Sequence, residues 1–396
     1  MYTKHNVKTW TGKIIFHVDI NSFYSSCEEI RNKSLKGKRH AVIMTNQTSG
    51  TITKGVVATC SYEAKKFGVR SGMPLHKALE LCPDLILLKV DKSYYTQISE
   101  RIMKIIADFA DIFEQASIDE AYLDCTNKIL NSSIRIEEYA QQIKKTIQAE
   151  CGGLLTSIGV STSKSIAKIA SDFQKPDGLT IISNEELSEF LYPLEVERIS
   201  GIGTKTQKIL REKMKIKTIG QLAQTDVQIL IENFGKKTGT WMWQVSRGKD
   251  SEQVIPREDH VSLSNETTLN IFTQDREEIK KSLNELLDEL FKRITMNKYQ
   301  FRTVTIKLMR TDFRIETRET SYTNYQKSRK SIEYVIDYLL DRFILDDGVL
   351  NSPDSKDSNK NTLPVRKVGL KVSNLIRDQD FKDIKARQKT LLDYMD

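Results

Sequence analysis

The sequence predicts an α+β multidomain protein whose first domain is a ferredoxin-like split βαβ sheet. Three observations carry that class. Hydrophobic patterning between Lys13 and Phe173 runs strand, helix, strand-strand, helix, strand, the order of that fold. From 182 to 249 the pattern changes to short helices, and beyond Val261 strands and long helices return. At 396 residues the chain has length for roughly two to four domains with cores of their own.

Composition bounds the rest. Hydrophobic residues make up 39% and charged residues 29%, the balance of a soluble globular protein. A net charge of +8 favours an anionic partner without naming one. The five cysteines form no CxxC pair and read as reduced, packed thiols of a cytoplasmic protein. No apolar run approaches the ~18 residues of a membrane span, and no signal peptide is read before Lys13. Residues 1–12 are a polar extension.

Taken in order, 13–18 is an apolar strand ending at Asp19. Residues 23–30 are amphipathic and helical, capped by Asn21 or Ser22. Strands follow at 41–44 and 55–59 around a polar turn at 45–53. A helix at 62–67 closes at Gly68, and Pro74 starts another at 75–82. A long helix at 92–110 carries the stripe Ile98, Ile102, Ile105 and Ile106.

Then comes Phe113 to Asp124, read as a hairpin with Ser117-Ile118-Asp119-Glu120 at the bend. A helix at 136–150 buries Tyr139, Ile143 and Ile147. A strand at 154–161 and a helix at 165–173 complete the domain. Among the short helices, Ile199-Ser200-Gly201-Ile202-Gly203 opens one, and 205–217 is strongly basic. Residues 250–261 are a polar linker containing Pro256. Beyond it lie strands at 262–269, 301–309, 314–323 and 365–372, with helices at 274–296 and 328–344. Residues 346–362 read as a loop.

The chemistry centres on carboxylates. Asp119 and Glu120 are adjacent and raise each other's pKa by repulsion, which a divalent cation relieves. In a split βαβ sheet Asp19 lies on the neighbouring strand, so three carboxylates converge. Hard oxygen donors of that number suit Mg²⁺, and two such ions make a site for phosphoryl transfer. An Asp-Glu pair at a turn is equally an ordinary solvated turn, and these residues alone leave both readings open. The glycines of Gly201-Ile202-Gly203 admit a phosphate to a helix start, or form a plain interhelical turn. Lys292 to Lys330 holds eleven Lys or Arg against three acidic residues. Arg314, Glu316 and Arg318 alternate onto one strand face, either solvated or laid along nucleic-acid phosphates. Trp241, Met242 and Trp243 read as core.

Four stretches then take on a common meaning. Val18-Asp19-Ile20-Asn21-Ser22-Phe23-Tyr24-Ser25-Ser26-Cys27-Glu28, Ala58-Thr59-Cys60-Ser61-Tyr62-Glu63-Ala64-Lys65-Lys66-Phe67-Gly68-Val69, Ser117 to Asp124, and Lys175-Pro176-Asp177-Gly178 resemble, in order and spacing, the motifs of the Y-family DNA polymerases. The likeness is strongest to the DinB (DNA polymerase IV) branch and runs from about Lys13 to Leu375. It implies a right-hand architecture. The palm is 13–22 and 90–181, the fingers 23–89, a helix-hairpin-helix thumb 182–249, a linker 250–261 and an α+β little finger 262–376.

The implied activity is template-directed, low-fidelity translesion synthesis in DNA repair and damage tolerance. A monomer without a proofreading exonuclease adds dNTPs to a primer–template. Two Mg²⁺ are held by Asp19, Asp119, Glu120 and the backbone carbonyl of Ile20, with Asp124 structural. Thr59, Tyr62 and Lys175 contact the triphosphate, assisted by the N–H groups of Phe23 and Tyr24. Lys65 stands where the family has Arg, keeping the charge without the planar fork. Asn21 replaces the commoner Asp, and Ser200 the usual Pro. Tyr24 is the steric gate against ribonucleotides. Val56, Val57 and Ala58 leave an open roof over the nascent pair. Gly201, Gly203, Lys205, Arg314 and Arg318 meet DNA.

The tail, 377–396, resembles a PCNA-interacting box with Gln388, Leu391 and Tyr394 in place and Met395 departing from the aromatic. It implies a sliding clamp of the PCNA type and an archaeal rather than a bacterial source. Two alternatives share the palm: a nucleotidyl cyclase, and a catalytically silent DNA-binding scaffold.

Overall fold

The computed structural model describes residues 10–45, 50–132, 134–256, 260–345 and 363–380. The chain divides into two units, Met1–Arg257 and Glu258–Asp396.

The first unit opens with β1 (Ile15–Ile20), buried at every position. Side chains alternate across a strand. Phe16, Val18 and Ile20 therefore enter one core, while Ile15, His17 and Asp19 face the other way. Ser22, in the left-handed region at φ 47°, turns the chain into α1 (Phe23–Arg31). Then follow β2 (His40–Met44), β3 (Val56–Cys60), α2 (Tyr62–Lys66), α3 (Leu75–Leu81) and β4 (Ile86–Lys89). These three strands form a small sheet, β3-β2-β4, with its own core of Ala41, Ile43, Val57 and Leu75.

Asp91 caps α4 (Lys92–Ala107) by accepting the Tyr94 N–H at 3.1 Å. After it come β5 (Ile112–Gln115), β6 (Glu120–Asp124), α5 (Thr126–Ser132), α6 (Ile136–Glu150), β7 (Thr156–Ser161), α7 (Lys164–Phe173) and β8 (Leu179–Ile181). The sheet order is β5-β6-β1-β7-β8, with β1 central and antiparallel to both neighbours. Ile102, Ile106, Ile143 and Ile147 of α4 and α6 fill the core on one face. Helix α7 packs on the other. Gly159 of β7 permits this, since a Cβ there would lie 2.0 Å from the Ala167 carbonyl. The hydrophobic pattern placed no element at α5 or β8. Both are short, and a three-residue strand offers no periodicity to read.

Helices α8 (Leu187–Leu191), α9 (Thr204–Lys208), α10 (Ile219–Gln224) and α11 (Val227–Val245) share a core of Leu191, Leu210, Leu222 and Met242. The stretch after α11, read as a linker, is docked along part of its length. Val254 packs with Ile15 and Ala167, and the Ile255 N–H donates to Glu114 at 3.0 Å.

The second unit contains β9 (Ser262–Thr273), α12 (Arg276–Met296), β10 (Tyr299–Arg310), β11 (Ile315–Gln326), α13 (Arg329–Leu345), β12 (Val365–Ser373) and β13 (Ile376–Arg377). Its sheet order is β11-β10-β12-β9, with β13 beside β10, and α12 and α13 cover one face. Register corrects one expectation. Arg318 pairs with Ile306 and Glu316 with Leu308, both core residues, so these charges share the helix-covered side. The Arg318 guanidinium lies over the Phe343 ring at 5.5 Å. As part of an edge strand its long stem crosses the rim of the core, which the sequence cannot show. Arg314 sits in the hairpin before β11, paired with Asp312 at 3.1 Å.

Candidate active site

Asp19 and Glu120 are cross-strand partners on β1 and β6, and the Ile20 N–H donates to the Asp119 carbonyl at 3.0 Å. The bend before β6 is closed by side chains. Ser117 Oγ donates to Asp119 Oδ1 at 2.6 Å, and Ser99 Oγ donates to the Ile118 carbonyl at 2.5 Å. Asp19 and Asp119 line a cavity of about 340 Å³ together with Ile20, Phe23, Tyr24, Thr59, Lys65 and Lys175. These residues come from widely separated parts of the sequence. Tyr62 belongs instead to an adjoining cavity, and Ser22 lines both. The first-turn N–H groups of α1 have no intrahelical acceptor, as at any helix start. Tyr24 stacks on Tyr95 with ring centroids 4.4 Å apart and planes 16° from parallel.

The carboxylates are not equivalent. Burial pushes Asp19 up to about 7, against the pull of Lys175 at 2.6 Å. Burial also raises Asp119, opposed by its Ser117 hydrogen bond. Burial acts the same way on Glu120, but the Lys168 ammonium hydrogen-bonded to it, with the His17 ring nearby, outweighs burial and holds that carboxyl below the usual range. Lys168 Nζ is 2.6 Å from Glu120 Oε1, and His17 Nε2 is 3.8 Å from Oε2. Burial lowers Lys65, whose ammonium donates to Ser22 Oγ at 2.6 Å and lies over the Tyr62 ring at 4.3 Å.

Comparison with known proteins gives this arrangement a family. The profile of the impB/mucB/samB family matches residues 18–172, and that of its C-terminal domain matches 260–391. A profile described as DNApol eta/Rev1, HhH motif matches 194–249. The chain is 37% identical to DNA polymerase IV of Nitrosopumilus maritimus, over 94% of this chain and 98% of that one. It is 38% identical to DNA polymerase IV of Methanoculleus marisnigri, over 93% and 96%. A solved Y-family DNA polymerase chimera built on Dbh superposes with a TM-score of 0.80 at 29% identity, over 92% of this chain and 100% of that one.

The chain belongs to the Y-family of DNA polymerases. It is a DNA-directed DNA polymerase of the translesion type, a transferase that works on primer–template DNA and dNTPs. Membership implies dependence on a divalent metal. Among the described residues no helix is long and apolar enough to cross a membrane, and all five cysteines are buried and free.

The site of this Y-family polymerase suits a hard cation. Two carboxylates, the buried Asp19 and the half-buried Asp119, both driven upward by desolvation, face the cavity, and neither thiol nor imidazole lines it. The Lys175 ammonium resting on Asp19 already supplies one positive charge there. The expected convergence is partial. Among the described residues no three such side chains are gathered around one point. Glu120 is held by Lys168.

Several residues of this polymerase's site carried no motif. Lys164, Lys168 and Ser171 lie on one side of α7 at i, i+4 and i+7, and they reach Glu114, Glu120 and His17. That spacing was visible in the sequence, but its partners were not. In the thumb, Gly201 has φ +103°, and a Cβ there would meet the Trp241 ring at 3.0 Å. Gly203 caps α9 facing open space, and Lys205 in the first turn is exposed. Gln388, Leu391, Tyr394 and Met395 lie outside the described residues.

Proposed function

We propose that this polymerase extends a primer through two Mg²⁺ held by Asp19, Asp119 and Glu120, with the Ile20 carbonyl as a further ligand. The observation that carries the reading is the shared cavity. Asp19 and Asp119 face it beside Lys175, Lys65, Thr59 and Tyr24. Bound there, the ions would supply charge to lower the pKa of the primer 3′-hydroxyl and to neutralise the triphosphate. The remaining work falls to the chain. Glu120 leaves Lys168 to complete the donor set. Lys175, Lys65, Tyr62 and Thr59 bind the triphosphate, and the N–H groups of Phe23 and Tyr24 present the start of α1 to it. Tyr24 lies under the sugar and excludes a 2′-hydroxyl. The half-exposed Ala58, which lines the cavity, and the exposed Val56 leave room above the pair, whereas Val57 packs into the core of the small sheet. Fidelity is low, and the enzyme acts as a monomer in the cytoplasm. Gly201, Gly203 and Lys205 meet the DNA backbone. The tail motif docks a PCNA-type clamp.

Primer extension with Mg²⁺ and dNTPs, on undamaged and abasic templates, tests the reading. Asp119→Ala is expected to lose extension by at least about a thousandfold while gel-shift affinity persists, since charge stabilisation at the reacting phosphate is removed and the DNA contacts are not. Extension by the variant at the native rate would refute the assignment. A clamp-stimulated assay with Leu391→Ala tests the tail.

A further inference from the structure

We propose that Lys144 is a positioning residue for nucleotide binding: from α6 it grips the loop Lys175-Pro176-Asp177-Gly178 and so sets where the Lys175 ammonium meets the triphosphate. The inference rests on the reading of Lys175 as a triphosphate contact.

Helix α6 turns Tyr139, Ala140, Ile143 and Ile147 into the core, and Lys144 stands at the edge of that stripe with its side chain only 10% exposed. An ammonium there has three donors to satisfy and little water to satisfy them. The loop between α7 and β8 supplies the acceptors. Lys144 Nζ donates to the Asp177 carbonyl at 2.5 Å and to the Gly178 carbonyl at 3.4 Å, and it lies 2.9 Å from Asp177 Oδ1. An exposed ion pair between two mobile side chains is worth little. Here the ammonium is largely buried and two of its acceptors are backbone, so it fixes the path of the chain.

The loop needs such a hold. Asp177 has φ 56°, in the left-handed region, which a residue with a Cβ keeps only when its surroundings determine it. Its N–H is held from the other side by Asn21 Oδ1 at 2.7 Å. Asp177 is thus clamped between the turn after β1 and α6. Two residues upstream, Lys175 lines the active-site cavity, which Lys144 does not. The Lys175 ammonium hangs on a flexible four-carbon stem, so the loop decides what it can reach.

The sheet does not depend on Lys144 in the same way. The Gly178 carbonyl also accepts the Ile158 N–H at 3.0 Å, and the Gly178 N–H donates to Ser157 Oγ at 3.3 Å. Strand β8 therefore stays paired with β7 when Lys144 is gone, and the loss falls on the bend that carries Lys175. A lysine that only stabilised the fold would lower the amount of active enzyme and leave KM alone. One that places a triphosphate contact moves KM, because that contact is made alike before and during the reaction.

The test is single-nucleotide incorporation by the full chain, in steady state at saturating primer–template, with variants at both lysines. Lys144→Met keeps the length of the side chain and removes its donors. We expect KM for dNTP to rise about fivefold with kcat within about twofold of native. Lys144→Arg offers donors to the same carbonyls and is expected to hold KM within about twofold of native. Lys175→Ala is expected to raise KM about twentyfold or more. The double variant Lys144→Met/Lys175→Ala decides the mechanism. It should show the KM of Lys175→Ala alone, since an ammonium that is absent cannot be misplaced. An unchanged KM in Lys144→Met, a fall in kcat at constant KM, or a double variant whose KM rises by the product of the single effects overturns the proposal. If Lys144→Met does not fold, Lys144→Gln enters the same cycle with the same expectations. The underlying reading fails separately. If Lys175→Ala raises KM and Lys144→Met does not, this proposal alone fails. If Lys175→Ala leaves KM unchanged, the triphosphate reading of Lys175 fails and takes the proposal with it.

Discussion

Lys175 stands 2.6 Å from two carboxylates, Asp19 and Asp172. Burial works against its charge, and Asp19 more than restores it, so the group stays cationic. A cation so placed serves a triphosphate only if its loop is fixed, and Asn21 fixes it. Asn21 Oδ1 accepts the Asp177 N–H at 2.7 Å, while its amide donates to Ser157 Oγ at 2.9 Å. The departure from the commoner Asp therefore leaves the anchor intact, since either side chain offers an acceptor oxygen. Asn21→Ala removes the acceptor of the part-buried Asp177 amide at a cost of about 1 kcal/mol. We expect KM for dNTP to rise about fivefold to tenfold with kcat little changed, in steady-state kinetics at saturating DNA. A fall in kcat at constant KM would place Asn21 with the metal ligands instead. Asp19, Asp119 and Lys175 were legible because their neighbours spell motifs. His17, Lys168 and Ser99 were not, because a histidine in an apolar strand and a lysine or serine on a helix gain meaning only from the element packed against them.

Among elements, α7 shows how packing distances reach the chemistry. It lies so close to β7 that the Ser171 amide would be 2.3 Å from a Cβ on Gly159. That closeness lets Lys168 reach Glu120 and Ser171 reach His17 Nδ1 at 2.7 Å. Gly159→Ala sets a methyl against backbone that has no rotamer to give, so either α7 lifts or the sheet bends. We expect a loss of about 3 kcal/mol, read from the midpoint of denaturant unfolding at constant slope. Ala at the exposed Gly203, where a Cβ meets nothing within 4 Å, gives no comparable loss. A shift below about 1 kcal/mol would mean that α7 slides freely, and Lys168 would then be a poor candidate for holding Glu120. The strand patterns of β1 and β6 announced their burial and adjacency. The tight seat of α7 did not show, since a glycine inside a strand marks close approach without naming what approaches.

Across the whole chain the net charge of +8 is informative only once it is located. Periodicity put Arg314, Glu316 and Arg318 on one face, and pairing with Ile306 and Leu308 shows that face to be the one beneath the helices. Strands alternate, so the uncovered face carries the residues between. On β12 these are Lys367 and Lys371, and on β10 Lys307 beside Thr303 and Thr305. Glu266 bridges Lys307 at 2.7 Å and also pairs with Lys367, which leaves Lys371 as the lysine of that face outside this bridge. A sheet face without helices that carries part-exposed lysines can lie against phosphates, although Thr303 and Thr305 between them are buried. The helix-covered side cannot do so without unpacking its core. Each phosphate neutralised adds about 0.9 to the slope of log affinity against log salt on duplex DNA. Lys371→Ala should therefore weaken primer–template binding whatever the sequence and reduce the slope by about 0.9, by fluorescence anisotropy from roughly 50 to 200 mM salt. Arg318→Ala should leave the slope unchanged. The opposite pattern would return the contact to the edge strand. Equal slopes in both variants would move the phosphate contacts of this unit off the sheet altogether.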